Sequence, residues 1–180
     1  MDVKEVKQMI RASVWERLEA EGAARFPKPI AGRIPNFLGA EAAAKRIVEL
    51  ESFKRARVVK VNPDSPQRPI REAVIRSGRT LVVPTPRLKD GFLLIRPGSV
   101  PDRYARKASS IGGAAQLGEQ VELSAIPKIE LLVVGSVAVS PDGARLGKGH
   151  GYGEIEYGIL RQLGCVVECT PIASTVHELQ

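Results

Sequence analysis

Residues 143–160, GARLGKGHGYGEIEYGIL, constrain this chain more than any other stretch. Gly147, Gly149 and Gly151 alternate with Lys148 and His150, and an amphipathic run begins at Tyr152. The residues just before, 129–139 (IELLVVGSVAV), are apolar and β-branched, as a buried strand requires. Strand, glycine turn and helix in succession aim backbone N–H groups and a helix N-terminus at one point, where an anion is favoured. Glycine, lacking Cβ, lets the backbone turn sharply there and approach a ligand closely. Arg145 and Lys148 add cations at the same place, so the pattern points to a phosphate cradle. Glycine turns of this kind also occur as plain connections. This one matches neither the G-x-x-x-x-G-K-S/T loop nor the G-x-G-x-x-G fingerprint.

The net charge of +7 favours anionic ligands such as nucleotides, polyglutamates or nucleic acid. The basic residues are scattered, so a solvated basic surface accounts for most of them. Aromatics are few, which argues against the base-stacking platform of a single-strand binder. Cys165 and Cys169 are four apart, ~13 Å along a strand, too far to bridge and without the paired His of a metal site. Charges interrupt residues 1–11, and no apolar run reaches the ~18 residues of a membrane span. A soluble cytoplasmic protein without a signal peptide is expected, with no membrane partner.

Taken in order, Val3, Val6, Ile10, Val14 and Leu18 form one stripe of a helix ending near Gly22. Lys7 and Arg11 are neighbours on another face, and a solvated basic pair satisfies that spacing. Pro27, Pro29 and Pro35 hold residues 26–37 as an extended, wrapping loop, and 39–50 reads as an Ala-rich helix. Residues 57–61 form a strand, Ser65 before Pro66 caps a helix over 67–77 stopped by Gly78, and 80–83 form a second strand. That is a βαβ unit, hence a parallel pair. A helix around 102–110, strands over 121–126 and 130–139, the glycine loop, a helix over 152–163 and a β-branched run over 165–176 complete five or six strands. The expected fold is a three-layer α/β domain, a mainly parallel sheet flanked by helices, with its ligand at the carboxyl ends of the strands.

These residues resemble the 5-formyltetrahydrofolate cyclo-ligase family, also called methenyltetrahydrofolate synthetases. The resemblance is closest to its methenyltetrahydrofolate synthase domain-containing branch. The family's hallmark, a hydrophobic strand, then G-x-R-L-G-x-G-x-G-Y-Y-D and a helix, is matched from Gly143 to Glu154, with Gly153 for the second Tyr and Glu154 for the Asp. Its N-terminal K-x-x-(L/I)-R is matched by Lys7, Ile10 and Arg11. The branch is matched further by RIPNF at 33–37, VKVN at 59–62, VPTPRL at 83–88, GSVAV at 135–139 and TVH at 175–177.

The resemblance implies a single cyclo-ligase-like domain over 1–180, with 1–38 an N-terminal helix and wrapping loop, and a fold akin to sugar-phosphate isomerases and CoA transferases. It implies ATP- and Mg2+-dependent cyclisation of 5-formyltetrahydrofolate to 5,10-methenyltetrahydrofolate. The formyl oxygen is a poor leaving group, and phosphorylating it gives an iminium phosphate that the neighbouring amine attacks. By resemblance Gly147, Lys148, Gly149, His150, Gly151 and Tyr152 hold the nucleotide together with Lys7 and Arg11. Arg145 and Lys148 are then the catalytic electrostatic clamps, Glu154 faces magnesium, and Asp64 stands where the family's pterin-side Glu lies. Gln67 replaces a usual Thr, and the family's Met-containing strand and Trp-bearing loop find no match over 88–116. Gln180 matches the family's C-terminal Gln, with His177 for a usual Phe. The family continues into a further strand, which implies a shortened member or a longer chain. A non-catalytic nucleotide- or RNA-binding member is the alternative, nucleic acid being disfavoured by the scarcity of aromatics. Monomer and homodimer both remain open.

Overall fold

The computed structural model describes residues 2–180. Helix α1 (Val3–Ala20) opens with the Asp2 N–H donating to Glu5 Oε2 at 2.9 Å. Its buried face is Arg11, Val14, Trp15 and Leu18, an i, i+3, i+4, i+7 set. This corrects the expected stripe, because Val3 and Ile10 are exposed. The helix packs on the loop that follows, through Ala23, Ala24, Ile30 and Ile34, and on Val137. That loop is pinned by the pair β1 (Ala24–Arg25) and β2 (Asn36–Phe37) and contains cis bonds before Pro27 and Pro29.

Next come α2 (Ala40–Glu49), α3 (Glu51–Arg55), β3 (Val58–Val61), α4 (Arg68–Arg76) and β4 (Thr80–Pro84). Strands β3 and β4 pair in parallel, as the βαβ pattern required. Ser65 makes no cap: a 3-10 turn over Ser65–Gln67 precedes α4 instead. Gly78 ends the helix at φ +67°, the left-handed conformation that glycine tolerates.

Strand β5 (Phe92–Ile95) adds to the expected elements; four apolar residues between turns carry no period to read. The expected helix over 102–110 is a 3-10 turn followed by α5 (Ala105–Ala108), and α6 (Ile111–Leu117) adds a helix beyond it. β6 (Glu119–Val121) starts earlier than expected. β7 is only Leu131–Val134, because Gly135-Ser136 breaks the run. Its continuation, β8 (Ala138–Val139), pairs in a separate hairpin with β9 (Arg145–Leu146). α7 (Tyr152–Gln162) and β10 (Ile172–Ser174) follow. The side chain of Gln180 is buried, donating to the Ser136 carbonyl at 2.8 Å, so the last residues hold the base of that hairpin.

The main sheet has the order β10-β7-β3-β4-β5-β6. The first four strands run parallel, β5 runs antiparallel to β4, and β6, antiparallel to β5, returns to the common direction, a mixed, mostly parallel sheet flanked by helices. One face, Val59, Val61, Leu81, Val83, Leu131 and Val133, packs under α2 and α4. The other, with Val82, Leu94 and Leu132, meets Leu160 of α7 and Val166. Cys165 is buried at the edge of that layer and Cys169 is exposed, both free thiols. No helix among the described residues is long and apolar enough to cross a membrane.

Candidate active site

A cleft of about 670 Å3 opens at the carboxyl ends of the parallel strands. Asn62 and Asp64 follow β3, Thr85 and Arg87 follow β4, and Gly135 follows β7. The glycine loop forms another wall, and Lys7 and Arg11 of α1 close it from above. Six Lys and Arg side chains line it against three carboxylates, which favours anions.

The loop leaves the β8–β9 hairpin and enters α7 at Gly151, whose φ of +74° belongs to the left-handed region. Gly149 sits at φ +99°, and a Cβ there would come within 3.3 Å of Arg11 Cζ. At Gly147 a Cβ would lie 3.0 Å from Arg145 Nη2. Each of these two glycines has an arginine folded close against its backbone, and at Gly149 the positive φ itself favours glycine. No acceptor among the described residues takes the N–H groups of residues 147–151. Unpartnered amides in a loop that lines a cationic cleft suit an anion.

Arg11 is not a solvated partner of Lys7. It is buried, and its Nε donates to the Gly147 carbonyl at 2.7 Å, so it fixes the loop from behind. Lys7 is exposed at the rim of the cleft. The other two expected cations are engaged by the carboxylates expected elsewhere in the site. Lys148 Nζ donates to Asp64 Oδ1 at 2.9 Å. Arg145 Nη1 donates to Glu154 Oε1 at 2.7 Å and Nη2 to the Gly135 carbonyl at 2.8 Å, leaving its buried Nε unpartnered. His150 and Tyr152 face each other edge-on at 6.4 Å. The structure therefore brings all eleven expected residues to one cleft. His177 lies away from it, edge-on to Phe37 at 6.0 Å.

Two features escaped the sequence. Beneath Asp64, the buried Arg71 donates to the backbone carbonyls of Asn62, Asp64 and Ser109. Burial pushes its guanidinium down to about 10, with Asp64 opposing and Arg68 adding to the shift, so it is charged at neutral pH. On the cleft floor, Lys60 Nζ donates to Asn62 Oδ1 at 2.8 Å and to Glu156 Oε2. Lys60 is 1% exposed and Glu156 4%. A lysine inside a four-residue β-branched strand was the available clue, since a buried ammonium requires a carboxylate partner.

Glu154 is the most exposed of the cleft's three carboxylates. Its side chain is 64% exposed, and Oε2 has no protein donor among the described residues. No group of three or more His, Cys, Asp or Glu capable of holding a metal occurs among the described residues. One carboxylate suffices where phosphate oxygens supply the remaining ligands, which is the usual way proteins hold this ion.

The model of the 5-formyltetrahydrofolate cyclo-ligase family matches residues 3–180. The chain belongs to that family. Methenyltetrahydrofolate synthase domain-containing proteins of Bos taurus and Homo sapiens are 43% and 40% identical over 177 residues, 97% of this chain. The match takes in 46% of each relative, so the chain spans about half the length of the relatives it matches. The NMR structure of Aquifex aeolicus 5,10-methenyltetrahydrofolate synthetase superposes with a TM-score of 0.56 at 18% identity, covering 97% of this chain and 79% of that one. That likeness establishes the three-layer α/β fold.

Proposed function

We propose that the protein converts 5-formyltetrahydrofolate to 5,10-methenyltetrahydrofolate with ATP and Mg2+. The observation that carries this is the run of amides at 147–151 that no protein acceptor takes, in a loop that lines a cationic cleft at the carboxyl ends of the strands. Amides and cations so placed position a triphosphate and neutralise its charge, which is most of what phosphoryl transfer asks of a protein.

The chain's residues divide the work. Arg11 holds the loop in its binding shape, and Lys7 and Lys148 offer ammonium groups to phosphate oxygens. Arg145, anchored on the Gly135 carbonyl and on Glu154, brings its guanidinium charge to the phosphates. Glu154 would hold magnesium, which would neutralise charge on the phosphates. Asp64, released when Lys148 turns to a phosphate, orients the folate, and Arg71 fixes the backbone beneath it.

The test is the near-ultraviolet absorbance of the methenyl product, which the formyl substrate lacks. Wild-type protein with Mg-ATP produces it, Glu154→Gln slows turnover by removing the charge the metal needs, and Asp64→Asn spares ATP binding while lowering turnover. Bound at a hundred times its dissociation constant, Mg-ATP raises stability by roughly 2.7 kcal/mol. Intact ATP binding without any methenyl product overturns the cyclisation and leaves a nucleotide-binding member.

A further inference from the structure

The buried pair on the cleft floor is more than a brace. The Glu156 side chain is 5% exposed, and Oε2 takes both protein donors: Lys60 Nζ, and Asn62 Nδ2 at 3.4 Å. Oε1 has no donor among the described residues, yet it is absent from the fully enclosed unpartnered atoms, so it keeps accessible surface. Glu156 and Asn62 line the cleft and Lys60 does not, which places that surface on the cleft side. The carboxylate is thus fixed from behind and open in front. An apolar pair in place of Lys60 and Glu156 would stabilise the layer under α7 at least as well, so packing does not account for a half-satisfied carboxylate here.

We propose that Glu156 Oε1 is a specificity-determining acceptor that reads N–H donors on a heterocyclic ligand. A carboxylate repels phosphate and accepts from amino and ring N–H groups. It therefore separates the floor of the cleft, at Asn62 and Glu156, from the cationic wall at Lys7, Arg145 and Lys148. An amino-substituted heterocycle reaches this cleft from two sources under the function proposed above, on which this inference rests: the adenine of ATP and the pterin of the folate.

The experiment is isothermal titration of the whole chain with three probes: Mg-ATP, Mg-tripolyphosphate and 5-formyltetrahydrofolate. In Glu156→Gln, Lys60 captures the amide oxygen and the NH2 donor turns to the cleft, opposing the ligand's own donors. One heterocyclic probe then binds about 10–100-fold more weakly while tripolyphosphate shifts less than about 2-fold. The probe that weakens identifies the source. Glu156→Gln leaves Lys60 with a neutral partner, so Lys60→Met with Glu156→Leu is measured beside it as a variant lacking both charges. Unchanged affinity of both heterocyclic probes in the two variants, with wild type binding them, overturns the inference without touching the proposed reaction. Equal weakening of tripolyphosphate reduces Glu156 to a brace and also overturns it. Wild type binding neither heterocycle overturns the inference and the proposed function together.

Discussion

The two faces of the central sheet share the same strands and differ in one buried charge. Toward α2 and α4 the strands present only aliphatic residues, from Leu131 and Val133 across Val59 and Val61 to Leu81 and Val83. Toward α7 the register row Leu132, Lys60, Val82 puts an ammonium between two aliphatic side chains, and Glu156 meets it. Apolar burial stabilises by about 25 cal/mol per Å2 without a partner. A buried ion pair roughly breaks even against apolar replacements. The first face therefore carries stability. The second carries a polar fixture where the cleft needs one, and gains little by it.

The largest expected effects break this comparison most directly. Phe53→Ala, in the apolar layer, lowers stability by about 3–5 kcal/mol. Glu156→Ala does so by a similar amount, about 3–5 kcal/mol, for a different reason: it leaves Lys60 buried and unpaired. Lys60→Met combined with Glu156→Leu returns to within about 1.5 kcal/mol of wild type. Urea midpoints at constant slope measure all three. A double variant as unstable as Glu156→Ala means that the pair is worth more than its apolar substitute, and the contrast between faces fails.

The same contrast governs what was legible in the sequence. The parallel unit from Val58 to Pro84 was readable because β-branched runs and turn residues mark its strands and helix locally. Phe92–Ile95 was not, for a run of four apolar residues is equally strand, helix or loop. The glycine loop was readable as a phosphate cradle because Gly spacing and cations sit within nine residues of each other. Glu156 carries no local signal although it lies two residues beyond Glu154. Its role depends on Lys60, 96 residues away, and no local pattern joins them. The apolar spacing of Val3, Val6 and Ile10 points α1 toward a face that leaves Arg11 in solvent, whereas Arg11 is buried. Trp15, one turn beyond it and itself buried, marks the correct one.

Arg11 and Lys7 offer a smaller test of buried against exposed charge. Arg11→Ala removes the donor to Gly147 and lowers both stability and Mg-ATP affinity by about 1.5–3 kcal/mol. Arg11→Lys does not restore either, since an ammonium cannot reproduce the directed Nε–H bond. Rescue by lysine, seen in paired melting and titration experiments, makes Arg11 a generic cation.

Gly149→Ala forces a side chain into φ +99° beside Arg11 Cζ. The strain is about 1–3 kcal/mol. It falls on the loop, so Mg-ATP affinity drops more than the urea midpoint does. A midpoint shift alone, with affinity retained, shows that the loop's shape matters to the fold and not to an anion.

The smallest effect belongs to Lys7, and it isolates the exposed end of the comparison. Its side chain stands at the cleft rim with no carboxylate partner among the described residues, so Lys7→Ala removes charge without removing packing. Stability changes by less than about 0.5 kcal/mol. Mg-ATP affinity falls by about 0.5–1 kcal/mol at low ionic strength, and the difference from wild type fades near 0.5 M salt, where the screening length drops to a few Å. The Arg11→Ala deficit persists in the same salt, because it comes from a bent loop and not from a missing field. Titrations of both variants at two salt concentrations read this directly. Deficits that vanish together place both cations on the ligand, and deficits that persist together place both behind the loop.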